Sequence, residues 1–272
     1  LVFNVLGSGG LQQPAPPFEQ DEPLIVRNLR ETFQGIEDLP TDTPTDLSRL
    51  QEAWNDALKF KEDALAAFRL GYLSLKERSM AEQLTWACAR ALLDRLHDVA
   101  KLPDDLKTLP AVLAETYYAN LSIFRSAPDT WAIQQLFPLM PLHRLNEQPT
   151  RLGHFADLTC DSDGKLNRFI NDGHNKPLLE LHPLKPNEPY LIGMFLGGAY
   201  QEVMGNLHNL FGSTDAAHIR LSPGGEYQVD HVVRGDTNAD VLEMMEHDPD
   251  QLLERLRMAS EKAISSGQLR IS

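Results

Sequence analysis

The feature that most constrains this chain is a change of hydrophobic period near residue 117. From Thr43 to about Leu102 the apolar residues Leu47, Leu50, Trp54, Leu58, Leu65 and Phe68, then Leu73, Met80, Leu84, Ala87 and Ala91 beyond Gly71, recur three or four apart. That spacing predicts a helical hairpin. Asp46 and Ser48 suit its start, Leu102-Pro103-Asp104 its end, and a shorter amphipathic piece over 109–116 would complete a small bundle. From Tyr117 the pattern breaks into short runs separated by Pro, Asn, Asp and Gly: 118–124, 153–158, 178–184, 190–196, 218–221 and 226–233. These predict an antiparallel sheet or barrel, with Ser222-Pro-Gly-Gly225 as a hairpin turn. Asp236 to Asp240 and Asp248-Pro249 then open two helices.

Ahead of the helices, Leu1 to Leu6 reads as a strand, followed by Gly7-Ser-Gly-Gly10 and the Pro-rich Gln13-Pro-Ala-Pro-Pro17, which fits neither helix nor strand. The expected organisation is therefore a first strand and Pro-rich connection over 1–37, an inserted helical bundle over 38–116, a β-domain over 117–235 and helices over 236–272. Leu1 to Leu6 has neither an initiating Met nor the basic flank of a signal peptide, and it reads as a strand cut from a longer protein.

Net charge bounds the partners. At −14 over 272 residues the chain is a poor nucleic-acid ligand, because that binding depends on basic groups displacing counterions from phosphates. An acidic surface suits a cationic small substrate, although many acidic proteins bind none. No apolar run approaches the roughly 20 residues of a membrane span. Two cysteines, Cys88 and Cys160, make no disulfide framework, which points to a reducing cytoplasm.

The two cysteines stand in opposite settings. Cys88 lies on an apolar helix stripe and reads as core. Cys160 lies in Asp157-Leu-Thr-Cys-Asp-Ser-Asp-Gly-Lys165, between carboxylates on a turn that follows the strand-like His154-Phe155-Ala156. A turn there pushes a thiol out of a sheet, where reactive thiols live, whereas a lone cysteine is more often inert. Some thirty residues on, paired glycines and a tyrosine stand in Tyr190-Leu-Ile-Gly-Met-Phe-Leu-Gly-Gly-Ala-Tyr200-Gln-Glu-Val-Met-Gly-Asn-Leu-His-Asn-Leu-Phe211-Gly212, and such glycines permit close backbone approach.

TCDSDG followed by GAYQEVMGNLHNLFG resembles the biosynthetic arginine decarboxylases, of the same pyridoxal-phosphate (PLP) class as ornithine and diaminopimelate decarboxylases. The likeness extends to Gly71-Tyr72-Leu-Ser-Leu-Lys-Glu-Arg78, Ala81-Glu82-Gln83 and Ser126-Ala-Pro-Asp-Thr-Trp131-Ala-Ile-Gln-Gln-Leu-Phe-Pro138. It implies an α+β fold: the C-terminal β-domain of a fold-type-III PLP decarboxylase with a helical insertion and helical tail. The N-terminal (β/α)8 barrel, with the lysine that holds PLP, is expected to lie outside this chain, which alone would be inactive.

The resemblance also assigns roles. Cys160 matches a cysteine that reaches across a dimer interface and protonates the substrate Cα after decarboxylation, and a neutral thiol suits that task because the free pKa lies near 8.5. Asp161 matches the residue that meets the distal end of the substrate. Asp163 either binds that end too or shapes the turn. Tyr200, with Gly198, matches the group that holds the PLP phosphate, and Phe211 falls where relatives carry an aromatic beside the substrate. The implied reaction takes L-arginine to agmatine and carbon dioxide, on the way to putrescine and spermidine. The implied partners are the barrel portion, at least one further copy, and arginine. Magnesium dependence is common in such enzymes, but no ligands for it are identifiable here. Asp161-x-Asp163-Gly164 fails as a calcium loop because its twelfth position is Ile170. Ser162-Asp-Gly-Lys165 has the S-x-x-K spacing without its partner motifs. The alternative from a different class is a non-catalytic β-domain module that binds and regulates a PLP decarboxylase.

Overall fold

The computed structural model describes residues 1–10, 14–39, 46–96, 99, 101–171, 174–198 and 200–270. Strand β1 (Val2–Gly9) is followed by helices α1 (Leu24–Glu37), α2 (Leu47–Arg69) and α3 (Leu75–Leu96). A 3-10 turn at Leu106–Thr108 and the one-turn α4 (Leu109–Val112) lead to β2 (Glu115–Ala119). Two short helices, α5 (Ile123–Ser126) and α6 (Pro128–Ala132), precede β3 (Leu139–Pro141) and β4 (Arg151–Ala156). Then come β5 (Lys165–Leu166), β6 (Phe169–Asn171), β7 (His174–Lys176), β8 (Leu179–Leu181), β9 (Tyr190–Met194) and the one-turn α7 (Gln201–Met204). The chain ends in β10 (Ala216–Leu221), β11 (Tyr227–Val233), α8 (Asn238–Met244) and α9 (Pro249–Ser265).

The helical bundle has three long members where the spacing predicted two. α1 lies inside the stretch expected to be strand and connection, so a boundary at 37/38 cuts the bundle. Its Val26, Leu29 and Ile36 repeat at helical spacing and are buried with Leu50, Trp54 and Ala57 of α2 and Leu84, Cys88 and Leu92 of α3. α3 is buried on most of its circumference, as the middle helix of a bundle must be. The Pro-rich stretch is tied down by Arg30, which pairs with the buried Glu22 and donates to the carbonyls of Pro16 (2.8 Å) and Pro17 (3.1 Å). That pairing holds the Glu22 carboxyl below the usual range. Asp46 caps α2 as expected, accepting from the Arg49 N–H. Thr43, where the periodic pattern begins, lies outside the described residues. The piece expected to be helical over 109–116 is helical only to Val112. Leu109 joins the bundle core, and by Glu115 the chain has entered the sheet.

The sheet is an open, seven-stranded path in the order β3-β9-β1-β2-β4-β5, with β8 also on β4. Its pairs are antiparallel except β2 with β4, which run parallel and depart from the all-antiparallel expectation. Parallel neighbours need a crossover, and α5, α6 and β3 supply it. The close approach shows at Gly153, where a Cβ would lie 2.7 Å from the Glu115 carbonyl and 2.8 Å from the Tyr117 ring. Phe3, Val5, Tyr117, Phe155, Phe169 and Ile192 form the core of this sheet, with Phe3 edge-on to Phe155 at 5.4 Å. The strand expected over 118–124 ends at Ala119, because Ser122 caps α5 by accepting from the Arg125 N–H.

The tail follows its turn chemistry. Ser222 to Gly225 closes the β10–β11 hairpin, with Gly225 at φ +85°. Thr237 and Asp240 form a capping box on α8, and Asp248 with Pro249 starts α9. Among the described residues no helix is long and apolar enough to cross a membrane.

Candidate active site

The Cys160 loop is a compact excursion between β4 and β5. Its neck is closed by the Asp157 N–H donating to the Gly164 carbonyl at 2.8 Å, and its tip by the Gly164 N–H donating to the Asp161 carbonyl at 3.0 Å. The Asp157 carboxylate organises the interior. It is 6% exposed and accepts from the Ile123 N–H (2.9 Å), the Thr159 N–H (2.9 Å) and the Thr159 hydroxyl (2.7 Å). Buried carboxylates require such donors. The space is tight enough that a Cβ on Gly164 would fall 2.1 Å from Asp157 Oδ1.

This architecture leaves Cys160 exposed at the loop surface, the setting expected of it, while Cys88 is buried. Burial pushes the Cys88 thiol up to about 12. Asp161 and Asp163 are exposed beside Cys160. The turn-shaping carboxylate is that of Asp161, whose Oδ1 accepts the Asp163 N–H at 2.9 Å. Its second oxygen is left toward solvent.

The loop after the paired glycines meets Cys160 through Asn209. The Cys160 N–H donates to Asn209 Oδ1 at 3.3 Å, and Asn209 Nδ2 donates to Cys160 Sγ at 3.3 Å. Asn209 and Leu210 both have positive φ, 51° and 65°, so the backbone is turned sharply to present that amide. Phe211 follows, half-buried, its N–H donating to the His208 carbonyl.

Helix α5 stands between the two loops and touches both. Ile123 is bound by Asp157. Phe124 stacks on His208 with ring centroids 4.3 Å apart, and its carbonyl accepts from the Asn206 N–H. Arg125 donates to the Gly205 carbonyl (3.2 Å) and to Ser213 Oγ. Gly198 has φ +117°, a conformation that disfavours any side chain, with open space where a Cβ would be. Tyr200 is 53% exposed, and its hydroxyl makes no hydrogen bond among the described residues. An open glycine turn and a free phenol fit a phosphate-bearing group, the chemistry expected of Gly198 and Tyr200.

Comparison with known proteins bears on the whole chain. Residues 19–110 match the arginine decarboxylase helical bundle domain. The match opens just ahead of α1 and closes in α4. Over 272 residues, all of this chain, it is 67% identical to a biosynthetic arginine decarboxylase of Prochlorococcus marinus (strain MIT 9303), covering 42% of that protein. The corresponding enzyme of Synechococcus sp. (strain RCC307) is 70% identical over 273 residues, with 100% of this chain and 41% of the relative covered. The crystal structure of the biosynthetic arginine decarboxylase of Campylobacter jejuni superposes with a TM-score of 0.75 at 31% identity, over 100% of this chain and 41% of that one.

The whole chain matches one part of the biosynthetic arginine decarboxylases.

It spans 42% of the length of the Prochlorococcus relative it matches. Asn209, Asp157 and the α5 segment tie the Cys160 loop to the segment after Gly198, and sequence reasoning gave none of them that part. Asp157 carries a local signal, since an aspartate at the mouth of an Asp/Ser/Gly turn is a common organiser of backbone N–H groups. Asn209 carries a weaker one, the tolerance of Asn for positive φ. The role of α5 depends on contacts far apart in sequence and has no local signature.

Proposed function

We propose that this chain is the C-terminal portion of a PLP-dependent arginine decarboxylase of the cytoplasm, converting L-arginine to agmatine and carbon dioxide on the route to putrescine and spermidine. One observation carries the reading: the amide of Asn209 gathers the TCDSDG loop and the segment after GAYQE around one exposed thiol. Neither sheet nor bundle needs that contact for its core.

Bound PLP would supply the electron sink that lets the carboxylate leave as carbon dioxide. Tyr200 and the Gly198 turn would hold its phosphate, and the lysine that binds it would belong to the barrel portion of the enzyme. Cys160 then donates its Sγ proton to the substrate Cα, and the thiolate regains a proton from solvent. The exposed position of Cys160 on a protruding loop suits delivery into the active site of a second copy. Asp161 pairs with the substrate's guanidinium through the oxygen not engaged by Asp163, with Asp163 beside it and Phe211 bordering the carbon chain.

The complete polypeptide, assayed for carbon dioxide released from carboxyl-labelled arginine and for agmatine, tests the reading. Absence of both products overturns it. This chain by itself is expected to give neither.

A further inference from the structure

The turn that carries Asn209 is strained and clamped on both sides. His208 and Phe211 form an antiparallel bridge around it, and the two residues between them both have positive φ, 51° at Asn209 and 65° at Leu210. Positive φ at both central positions marks a type I′ turn, where Asn-Gly is the favoured pair. A leucine in the second place crowds its Cβ against the following carbonyl, and it holds only where the surroundings over-determine the backbone. On the near side the Asn206 N–H donates to the Phe124 carbonyl at 3.0 Å, and His208 stacks on the Phe124 ring. On the far side Asp236, which precedes α8, accepts the Ser213 N–H with Oδ2 at 2.6 Å and donates its own N–H to the Ser213 carbonyl at 3.1 Å. Packing there is close: a Cβ on Gly212 would fall 2.6 Å from Asp236 Cβ and 2.8 Å from Cγ2 of Val241, which α8 buries. Arg125 braces both ends, donating to the Gly205 carbonyl and to Ser213 Oγ.

We infer that Asp236 is a positioning residue: its clamp on Ser213 holds the strained turn in place and so keeps the Asn209 amide on the Cys160 thiol. The role of that thiol rests on the proposed function, and the clamp on hydrogen bonds alone. Asp236 acts from outside the Cys160 loop, through Ser213, Gly212 and the turn. Released at Ser213, Leu210 can relax toward negative φ, which swings the Asn209 amide away from Cys160. The clamp also ties the thiol to the tail, because Thr237, the next residue, forms the capping box of α8 with Asp240. A displacement of α8 therefore reaches Cys160 by the same route.

The test follows alkylation of Cys160 by iodoacetamide, read at that residue by peptide mass analysis, together with turnover in the complete holoenzyme. Asp236→Ala should raise the alkylation rate and lower turnover, each by roughly two- to thirtyfold, with arginine KM within about twofold, the scale on which residues along a coupled network act. Asp236→Asn keeps an oxygen for the Ser213 N–H and should stay near wild type in both. Adding Leu210→Gly to Asp236→Ala supplies the favoured Asn-Gly pair and should return both rates to within about threefold of wild type. Unchanged alkylation in Asp236→Ala overturns the inference, and so does a failure of Leu210→Gly to restore it. If Asp236→Ala alone does not fold, the double variant decides: near-wild-type rates support the inference, and a second failure to fold overturns it. Raised alkylation with wild-type turnover upholds the clamp and removes the thiol from the proposed function. A wild-type enzyme that releases no carbon dioxide from arginine removes the proposed function and leaves the alkylation test standing.

Discussion

Asn209 grips Cys160 at its backbone and its side chain at once, accepting from the N–H with Oδ1 and donating to Sγ with Nδ2, each at 3.3 Å. The two residues lie 49 positions apart, and their contact fixes the direction in which the thiol faces.

In the complete enzyme, Cys160→Ala is expected to lower turnover by roughly 10²–10⁴-fold, the usual contribution of a general acid. Arginine KM should change little. Asn209 is a positioning residue, so Asn209→Ala should cost less turnover while raising the alkylation rate of Cys160 by iodoacetamide. Wild-type turnover in Cys160→Ala would leave the thiol without a catalytic role.

Asp161→Asn removes a charge while keeping the Oδ1 that accepts the Asp163 N–H. Losing a charge-assisted pair is worth ~1.5–3 kcal/mol, so arginine KM should rise by about ten- to a hundredfold. PLP affinity, followed by its visible absorbance, should stay within about twofold. A normal KM would exclude Asp161 from guanidinium binding.

The loop neck depends on the fit between Gly164 and Asp157. Gly164→Ala should destabilise the chain by about 1–3 kcal/mol through overpacking, since the new Cβ meets a buried carboxylate. Asp157→Ala should cost a similar amount by stranding the Ile123 and Thr159 donors. Urea unfolding measures both, and a wild-type midpoint in either variant would contradict the account.

Much of this was legible locally. An exposed Cys160, a hairpin at Ser222–Gly225 and the caps of α2, α8 and α9 follow from short-range chemistry, in which a few residues satisfy one another. What failed was set by distant partners. α1 was passed over because the Pro-rich stretch before it reads as loop, and its stripe of Val26, Leu29 and Ile36 makes sense only against α2 and α3. The parallel pairing of β2 with β4 is a choice of topology that alternation within a strand does not encode. Asp161 and Asp163 illustrate the same limit within the site: both sit in the turn, and only the folded backbone shows that Asp161 shapes it.

The two thiols should report the fold directly. Native protein should react with Ellman's reagent at Cys160 alone, and denatured protein at both. Cys88 titrates near 12 in the folded state against roughly 8.5 when unfolded. Its stabilising effect is complete below about pH 8.5 and is lost as pH rises toward 12, because the unfolded thiol ionises first. Cys88→Ala should flatten that alkaline limb in urea titrations, and an unaltered limb would locate the loss elsewhere.

Gly9 of β1 is paired with Thr116 of β2 across an antiparallel ladder, so the chain leaves the sheet and re-enters it at points about 5 Å apart. Everything between, the Pro-rich stretch and the whole helical bundle, hangs from what is topologically a hairpin tip. Such a graft can in principle be excised: a two-residue turn joining the ends would close β1 onto β2 directly and leave the Cys160 loop, α5 and the Asn209 segment on an unaltered platform.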